Sequence, residues 1–233
     1  VTITEGELAF FEVIKNNCEV IFDVGVQMDT HYIESYPKGI FHLFEPNSGF
    51  AETLWNKVYD LNTLVYVNNF GLGKESGWIK YYPDSQSFIK RTVDFQSDEK
   101  KSIILQIKDF KEYITENNIE NIDFLKIDTE GSEPDILFYN IEYIKNHIKF
   151  IQFEYASTWL DREEKFTIYD VYKTFSDKFN LLVLYNRAHP VFSEVANEMM
   201  IFTLEKDQLE AIEKYMHSSY GFDIAMVRKD MMN

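Results

Sequence analysis

A single cysteine, Cys18, in a chain of 233 residues leaves no partner for an intramolecular disulfide. Such usage fits a reducing compartment, so the expected location is cytoplasmic. Cys18 itself reads as a small buried apolar residue rather than a nucleophile. Basic residues are also scarce: 23 Lys and Arg stand against 39 Asp and Glu, for a formal net charge of −16. That field repels polyanions and argues against nucleic acid or an anionic membrane as partner. No apolar run approaches the roughly 18 residues of a membrane span, and no signal-peptide pattern opens the chain. The first residue is Val1 rather than Met, as in a trimmed or excised piece of a longer protein. Five Pro and nine Gly leave few interruptions, whereas 20 Phe and 15 Tyr bring the aromatic share to 16%. This excludes disorder and favours a dense sheet-based core within one domain over residues 1–233.

The apolar runs CEVIFDV (18–24), IFHLF (40–44) and TLVYVNN (63–69) are continuous rather than alternating, as parallel strands covered on both faces should be. Between the last two, residues 48–61 place Phe50, Leu54, Val58 and Leu61 at helical spacing with Ser48 as the expected cap, which gives a βαβ rhythm. Residues 76–107 break that rhythm with short aromatic runs and polar turns, and read as an insertion of hairpin strands and a loop. It resumes with a helix over 108–118, a strand in NIDFLKID, a helix from Glu133 through EPDILFYNIEYIKNH, and a strand over 148–155. Further on, 167–178 reads as an amphipathic helix, followed by strands in NLLVLYN and EMMIFTL (198–204) that suggest a hairpin-like pair. A helix is expected over 207–220, and GFDIAMVR reads either as an edge strand or as a segment packed outside the sheet.

The segment FLKIDTEGSEPDIL (124–137) concentrates the chemistry. A hydrophobic strand ends there in Asp128, Glu130, Glu133 and Asp135 around Gly131. Strand ends of open α/β sheets face the crevice where ligands bind. The first strand likewise ends in Asp23 and Gly25, a turn at which backbone N–H groups can approach a ligand. One glycine does not make a dinucleotide fingerprint, which disfavours a nicotinamide-dependent oxidoreductase. Glu45, about 20 residues past that glycine, stands where a carboxylate accepts ribose hydroxyls. Asn69 and Phe70, in NNFGLG, suit an adenine contact or, equally, a turn and a core ring.

Taken together, the DVG turn at 23–25, FEP at 44–46, the loop at 69–71, KIDTEGSE at 126–133, FEY at 153–155 and NEMMIF at 197–202 resemble the FkbM family of class I S-adenosylmethionine-dependent methyltransferases. The resemblance covers roughly residues 18–204, and KIDTEGSE is its most specific element. It implies an α/β, Rossmann-like fold with a mostly parallel seven-stranded sheet and helices on both faces. The methyl acceptor would be a hydroxyl of a small-molecule or carbohydrate-like compound. By the same resemblance, Asp23, Gly25, Val26 and Gln27 line the methionine end of the cofactor, Glu45 and Pro46 the ribose, and Asn69 with Phe70 the adenine side. Asp128 would sit at the methyl-transfer crevice.

Methyl transfer to oxygen needs alignment and a base for the hydroxyl proton, and Asp128, Glu130 and His189 are the candidates. Asp128, Glu130, Glu133 and Glu154 also suit a divalent cation such as Mg²⁺, although Glu133 and Asp135 equally fit as helix-start acids. His31 and His42 have weaker claims. Ser87, inside the insertion, is placed to contact an acceptor or cover the site. The family's first motif reads DVGAN, then any residue, then Gly. Gln27 here replaces the Asn and Asp29 the Gly, which puts a negative charge near the expected cofactor carboxylate. That departure keeps a second reading open: a non-catalytic methyltransferase-fold module that binds a glycan or a partner protein.

Overall fold

The computed structural model of the chain describes residues 5–81, 102–160, 162–184, 201–203, 209, 212–213 and 221–231. Its strands are β1 (Val20–Val24), β2 (Ile40–Phe44), β3 (Leu64–Asn68), β4 (Gly71–Gly73), β5 (Gly77–Tyr81), β6 (Ile103–Asp109), β7 (Ile122–Ile127), β8 (Ile148–Tyr155), β9 (Phe179–Leu184), β10 (Ile201–Thr203) and β11 (Phe222–Arg228). The helices are α1 (Glu5–Ile14), α2 (His31–Ser35), α3 (Ser48–Val58), α4 (Phe110–Glu116), α5 (Glu133–Leu137), α6 (Ile141–His147) and α7 (Ile168–Phe175).

The main sheet has the order β10-β9-β11-β8-β7-β1-β2-β3. β1 pairs in parallel with both β2 and β7, β2 with β3, and β7 with β8. β11 runs antiparallel to both β8 and β9, so β9 keeps the direction of the parallel set. The chain moves outward from β1 to β3 and then returns to β7 on the other side of β1. That reversal creates a switch point, and crevices at switch points take ligands.

Each central strand is buried on both faces because its two side-chain sets enter different cores. Along β1, Phe22 and Val24 join a layer with Phe110 and Tyr113 of α4, Ile136 of α5 and Val171 of α7. Ile21 enters the opposite layer with Phe10 and Phe11 of α1, Tyr32 of α2 and Leu54 of α3. β7, buried at every position, lies at the centre of both.

The expected seven strands stand in the order β9-β11-β8-β7-β1-β2-β3, and β10 adds a short antiparallel edge beyond them, forming the expected hairpin-like pair with β9. Several expectations change. GFDIAMVR is not peripheral: as β11 it fills the slot between β8 and β9, with Ile224, Ala225 and Met226 wholly buried. β3 is an edge strand with Leu64 and Tyr66 exposed, not a doubly covered one. Asn47, not Ser48, caps α3, its Oδ1 accepting from the N–H groups of Gly49 and Phe50. The helix expected from Glu133 onward is two helices, broken at Asn140, whose backbone is non-helical and whose side chain donates back to the Ile136 carbonyl at 2.9 Å. α1, which the sequence pattern did not suggest, covers the second layer. In the insertion, β5 and β6 pair antiparallel, and β6 pairs in parallel with β4 to make a separate three-stranded sheet. Residues 82–101 lie outside the described residues, as does most of the expected helix over 207–220.

Candidate active site

The tips of β1, β2, β7 and β8 end along one edge of the sheet, and over the first three opens a cleft lined by Gly25, Gln27, Glu45, Asp128 and Glu130. Gly25 makes it possible. Its φ is +87°, and a Cβ there would lie 1.8 Å from the carbonyl oxygen of Asp128. Only glycine allows the first turn to approach the β7 tip this closely. Gln27 then adopts φ +54°, a conformation in which Asn is commoner, and its N–H donates to Glu45 Oε2 at 2.8 Å. Glu45 Oε1 accepts from the N–H of Asn47 at 2.7 Å. Burial pushes the Glu45 carboxyl above the usual carboxylate range, and these two N–H donors oppose the shift.

Beneath the cleft, Asp23 is buried, and its Oδ1 accepts no hydrogen bond among the described residues. Burial raises it to about 6 against the attraction of Lys126, with Asp29, Asp128 and Glu7 adding to the rise. Val26 is buried in the second core layer. The side chain of Asn69 donates to the carbonyls of Glu45 (2.9 Å) and Pro46 (3.3 Å), tying the β2 loop rather than lining the cleft. Phe70 packs against Phe44 and Tyr113. The far wall comes instead from Phe50 and from Leu72, Leu105 and Ile107 of the small sheet, with Tyr81 beside them. The sequence signal for Leu105 and Ile107 was the apolar run IILQI within the insertion, whereas Phe50 and Leu72 lie in segments read as a helix and as the NNFGLG loop.

The acidic loop after β7 is wound around Glu133. This fully buried carboxylate accepts from the N–H and hydroxyl of Thr129 (2.7 and 2.8 Å), the N–H of Gly131 (3.1 Å) and the indole N–H of Trp159 (2.9 Å). From outside, Arg162 donates to the Gly131 carbonyl at 2.6 Å and pairs with Asp135. Glu130 and Gly131 both take positive φ, and the loop so formed carries Asp128, Glu130 and Ser132 into the cleft. Carboxylate oxygens of Asp128, Glu130 and Glu154 lie within 4.8 Å of one another. Burial first, then Asp128, Glu133, Glu130 and Asp223, push Glu154 up to about 9. Glu133 stands apart from this trio, with its oxygens committed to the loop.

Asp29 does not project into the cleft. It accepts from the backbone N–H of His31 at 2.8 Å and pairs with the His31 ring. His42 lies on β2 with its ring against Tyr113 Oη at 2.8 Å, and burial pulls it down to about 4. His189 and Ser87 lie outside the described residues.

A mostly parallel sheet with one antiparallel strand inserted before the last parallel one, and a cleft over the tips of β1, β2 and β7, define the Rossmann-like architecture of class I methyltransferases. The model of the methyltransferase FkbM domain matches residues 23–224, and the chain belongs to that family. No curated protein sequence matches it. Among solved structures it is similar to a putative rRNA-methylase from Clostridium thermocellum, at 12% identity and TM-score 0.45 over 98% of both chains. It is also similar to an S-adenosylmethionine-dependent O-methyltransferase from Thermotoga maritima, at 11% identity and TM-score 0.41, covering 98% of this chain and 67% of that one. A third is the Methanococcus jannaschii fibrillarin pre-rRNA processing protein, at 11% identity and TM-score 0.42, covering 91% of this chain. The chain spans 66% of that protein's length. Among the described residues, no helix is long and apolar enough to cross a membrane.

Proposed function

We propose that the chain is an S-adenosylmethionine-dependent O-methyltransferase whose acceptor is a hydroxyl of a small-molecule or carbohydrate-like compound. The observation that carries this reading is the convergence of Gly25, Glu45 and Asp128 on one cleft at the switch point of the sheet. The residues present fit the cofactor. Gly25 leaves bare backbone at the first turn, and each Glu45 oxygen keeps a second lone pair for a ribose hydroxyl beyond the N–H it already accepts. Phe50, Leu72, Leu105 and Ile107 offer an apolar wall for the adenine, in place of Asn69 and Phe70. With Asp29 turned to His31, its side chain stays out of the cleft, although its charge is still felt at Asp23.

When bound, S-adenosylmethionine supplies an electrophilic methyl group on a sulfonium. The protein's own work is to align an acceptor oxygen with it and to take up the hydroxyl proton, for which Asp128 and Glu130 are placed. A divalent cation such as Mg²⁺ would be held by Asp128, Glu130 and Glu154, and would offset their mutual repulsion. The acidic balance of −16 supports a small acceptor over a nucleic acid.

Calorimetry with S-adenosylmethionine tests the reading. Micromolar binding is expected, weakened about tenfold or more in Glu45→Ala, in line with the loss of two charge-assisted hydrogen bonds. No detectable heat at millimolar ligand would overturn it in favour of a non-catalytic module.

A further inference from the structure

Lys126 is a buried cation for which the proposed chemistry has no use. It projects from β7 into the layer under α1 and α2, where it is 4% exposed. In the sheet register it stands between Asp23 of β1 and Gln152 of β8. Its Nζ donates to Asp128 Oδ2 at 3.3 Å and lies 3.7 Å from Asp23 Oδ1. Glu7 of α1 and Tyr32 of α2 close the island from above: Gln152 Nε2 donates to Glu7 Oε1 at 2.8 Å and to Tyr32 Oη at 3.3 Å. Burial alone would favour the neutral amine. Asp128, then Asp23, Glu7 and Tyr32, reverse that and hold the ammonium above its ordinary range.

A charge removed from water is retained only where partners compensate it, and removing one member of such a set leaves the others uncompensated. Here the two nearest partners sit at the strand tips that meet at Gly25. Asp128 reaches the cleft itself, and Asp23 underlies the first turn.

We propose that Lys126 is the positioning residue of the cofactor cleft: from beneath, it draws the Asp128 and Asp23 carboxylates to one ammonium and so fixes the β7 and β1 tips that hold the methionine half of S-adenosylmethionine. Lys126 touches no ligand. Its effect travels through Asp128 and Asp23, and it is local to one half of the cofactor, because the adenine wall and Glu45 lie on other elements.

This proposal rests on the methyltransferase reading, and a two-ligand comparison separates the two. Wild type and Lys126→Met are titrated calorimetrically with S-adenosylhomocysteine and with adenosine, and thermal stability is followed alongside. A displaced contact at one end of a ligand is expected to weaken S-adenosylhomocysteine about tenfold or more while adenosine changes less than about threefold. A purely structural lysine would weaken both ligands in parallel, or neither, and either result overturns the proposal while leaving the methyltransferase reading intact. Wild type that binds neither ligand overturns the reading and the proposal together. Should Lys126→Met not fold, the double variant Lys126→Met/Glu7→Gln removes one of the facing carboxylates along with the lysine and is read by the same criterion.

Discussion

The backbone of Gly25 approaches the carbonyl of Asp128 so closely that a Cβ on Gly25 would sit 1.8 Å from the Asp128 oxygen and 2.7 Å from its carbon. The contact joins the β1 turn to the β7 tip, and the obstacle is backbone, which cannot swing aside as a side chain would. Gly25→Ala therefore combines a steric clash with an unfavourable positive φ, each among the causes of large destabilisation, and is expected to cost about 3 kcal/mol or more. Urea denaturation measures it. A loss below about 1 kcal/mol would mean that the two tips separate easily.

Asp29 replaces a glycine of the family's first motif, yet its side chain is engaged at the start of α2 with the N–H and ring of His31. Asp29→Ala should lower stability by about 0.5–1.5 kcal/mol, the size of a lost local side-chain-to-backbone hydrogen bond. It should leave the affinity for S-adenosylmethionine within about threefold, less than 1 kcal/mol. A marked gain in affinity would show that the acid repels the cofactor despite its partner.

The parallel strands were legible because uninterrupted apolar runs such as IFHLF and IKFIQFEY can be buried on both faces, and the switch-point acids because they close those runs. What escaped depended on partners distant in the chain. GFDIAMVR, with wholly buried Ile224 and Met226, has the apolar density of a central strand, but only pairing with β8 on one side and β9 on the other reveals its place. Asn69 and Phe70 suit an adenine contact by residue type, but their contacts in the fold, one donating to the Glu45 carbonyl and the other packed on Tyr113, depend on tertiary packing that the local sequence does not show. Lys126 was hidden inside a recognised motif, since nothing local marks a lysine that will be buried beside Asp23 and Glu7.

Glu154 faces Asp128, Glu130, Glu133 and Asp223, and together with burial they raise its carboxyl to about 9. Between its ordinary value of 4.5 and that point, the folded protein holds a proton that the unfolded chain has released. Stability from this group therefore falls as pH rises across that window, by up to about 1.4 kcal/mol per pH unit. Glu154→Gln removes the contribution, so its stability should exceed that of wild type increasingly from pH 6 to pH 8.5, as read by urea denaturation at each pH. Parallel profiles for the two proteins would show that Glu154 is ionised in the fold. Mg²⁺ at pH 8.5 should raise the wild-type midpoint and leave that of the variant less affected, since a cation bound only by the native state stabilises it by mass action.

Glu133 gathers the loop that presents Asp128 and Glu130. Four donors, two from Thr129 and one each from Gly131 and Trp159, converge on a carboxylate with no exposed surface. Burial raises its carboxyl above the usual range, the cost of confining a charge there, while N–H donors, with those of its own backbone and Thr129 foremost, oppose the rise. Glu133→Ala strands three N–H groups and a hydroxyl without an acceptor, and at about 1–3 kcal/mol for each unsatisfied buried group, tempered by water entering the space, a loss of about 3 kcal/mol or more is expected. Trp159→Phe keeps the ring in the core but removes one donor, so it should cost about 1 kcal/mol, and should cost much less when made in the Glu133→Ala background. That coupling, measured as a double-mutant cycle in urea, distinguishes a hydrogen bond to Glu133 from simple packing of the indole on Phe153 and Tyr155. Additive losses would assign the role of Trp159 to packing alone.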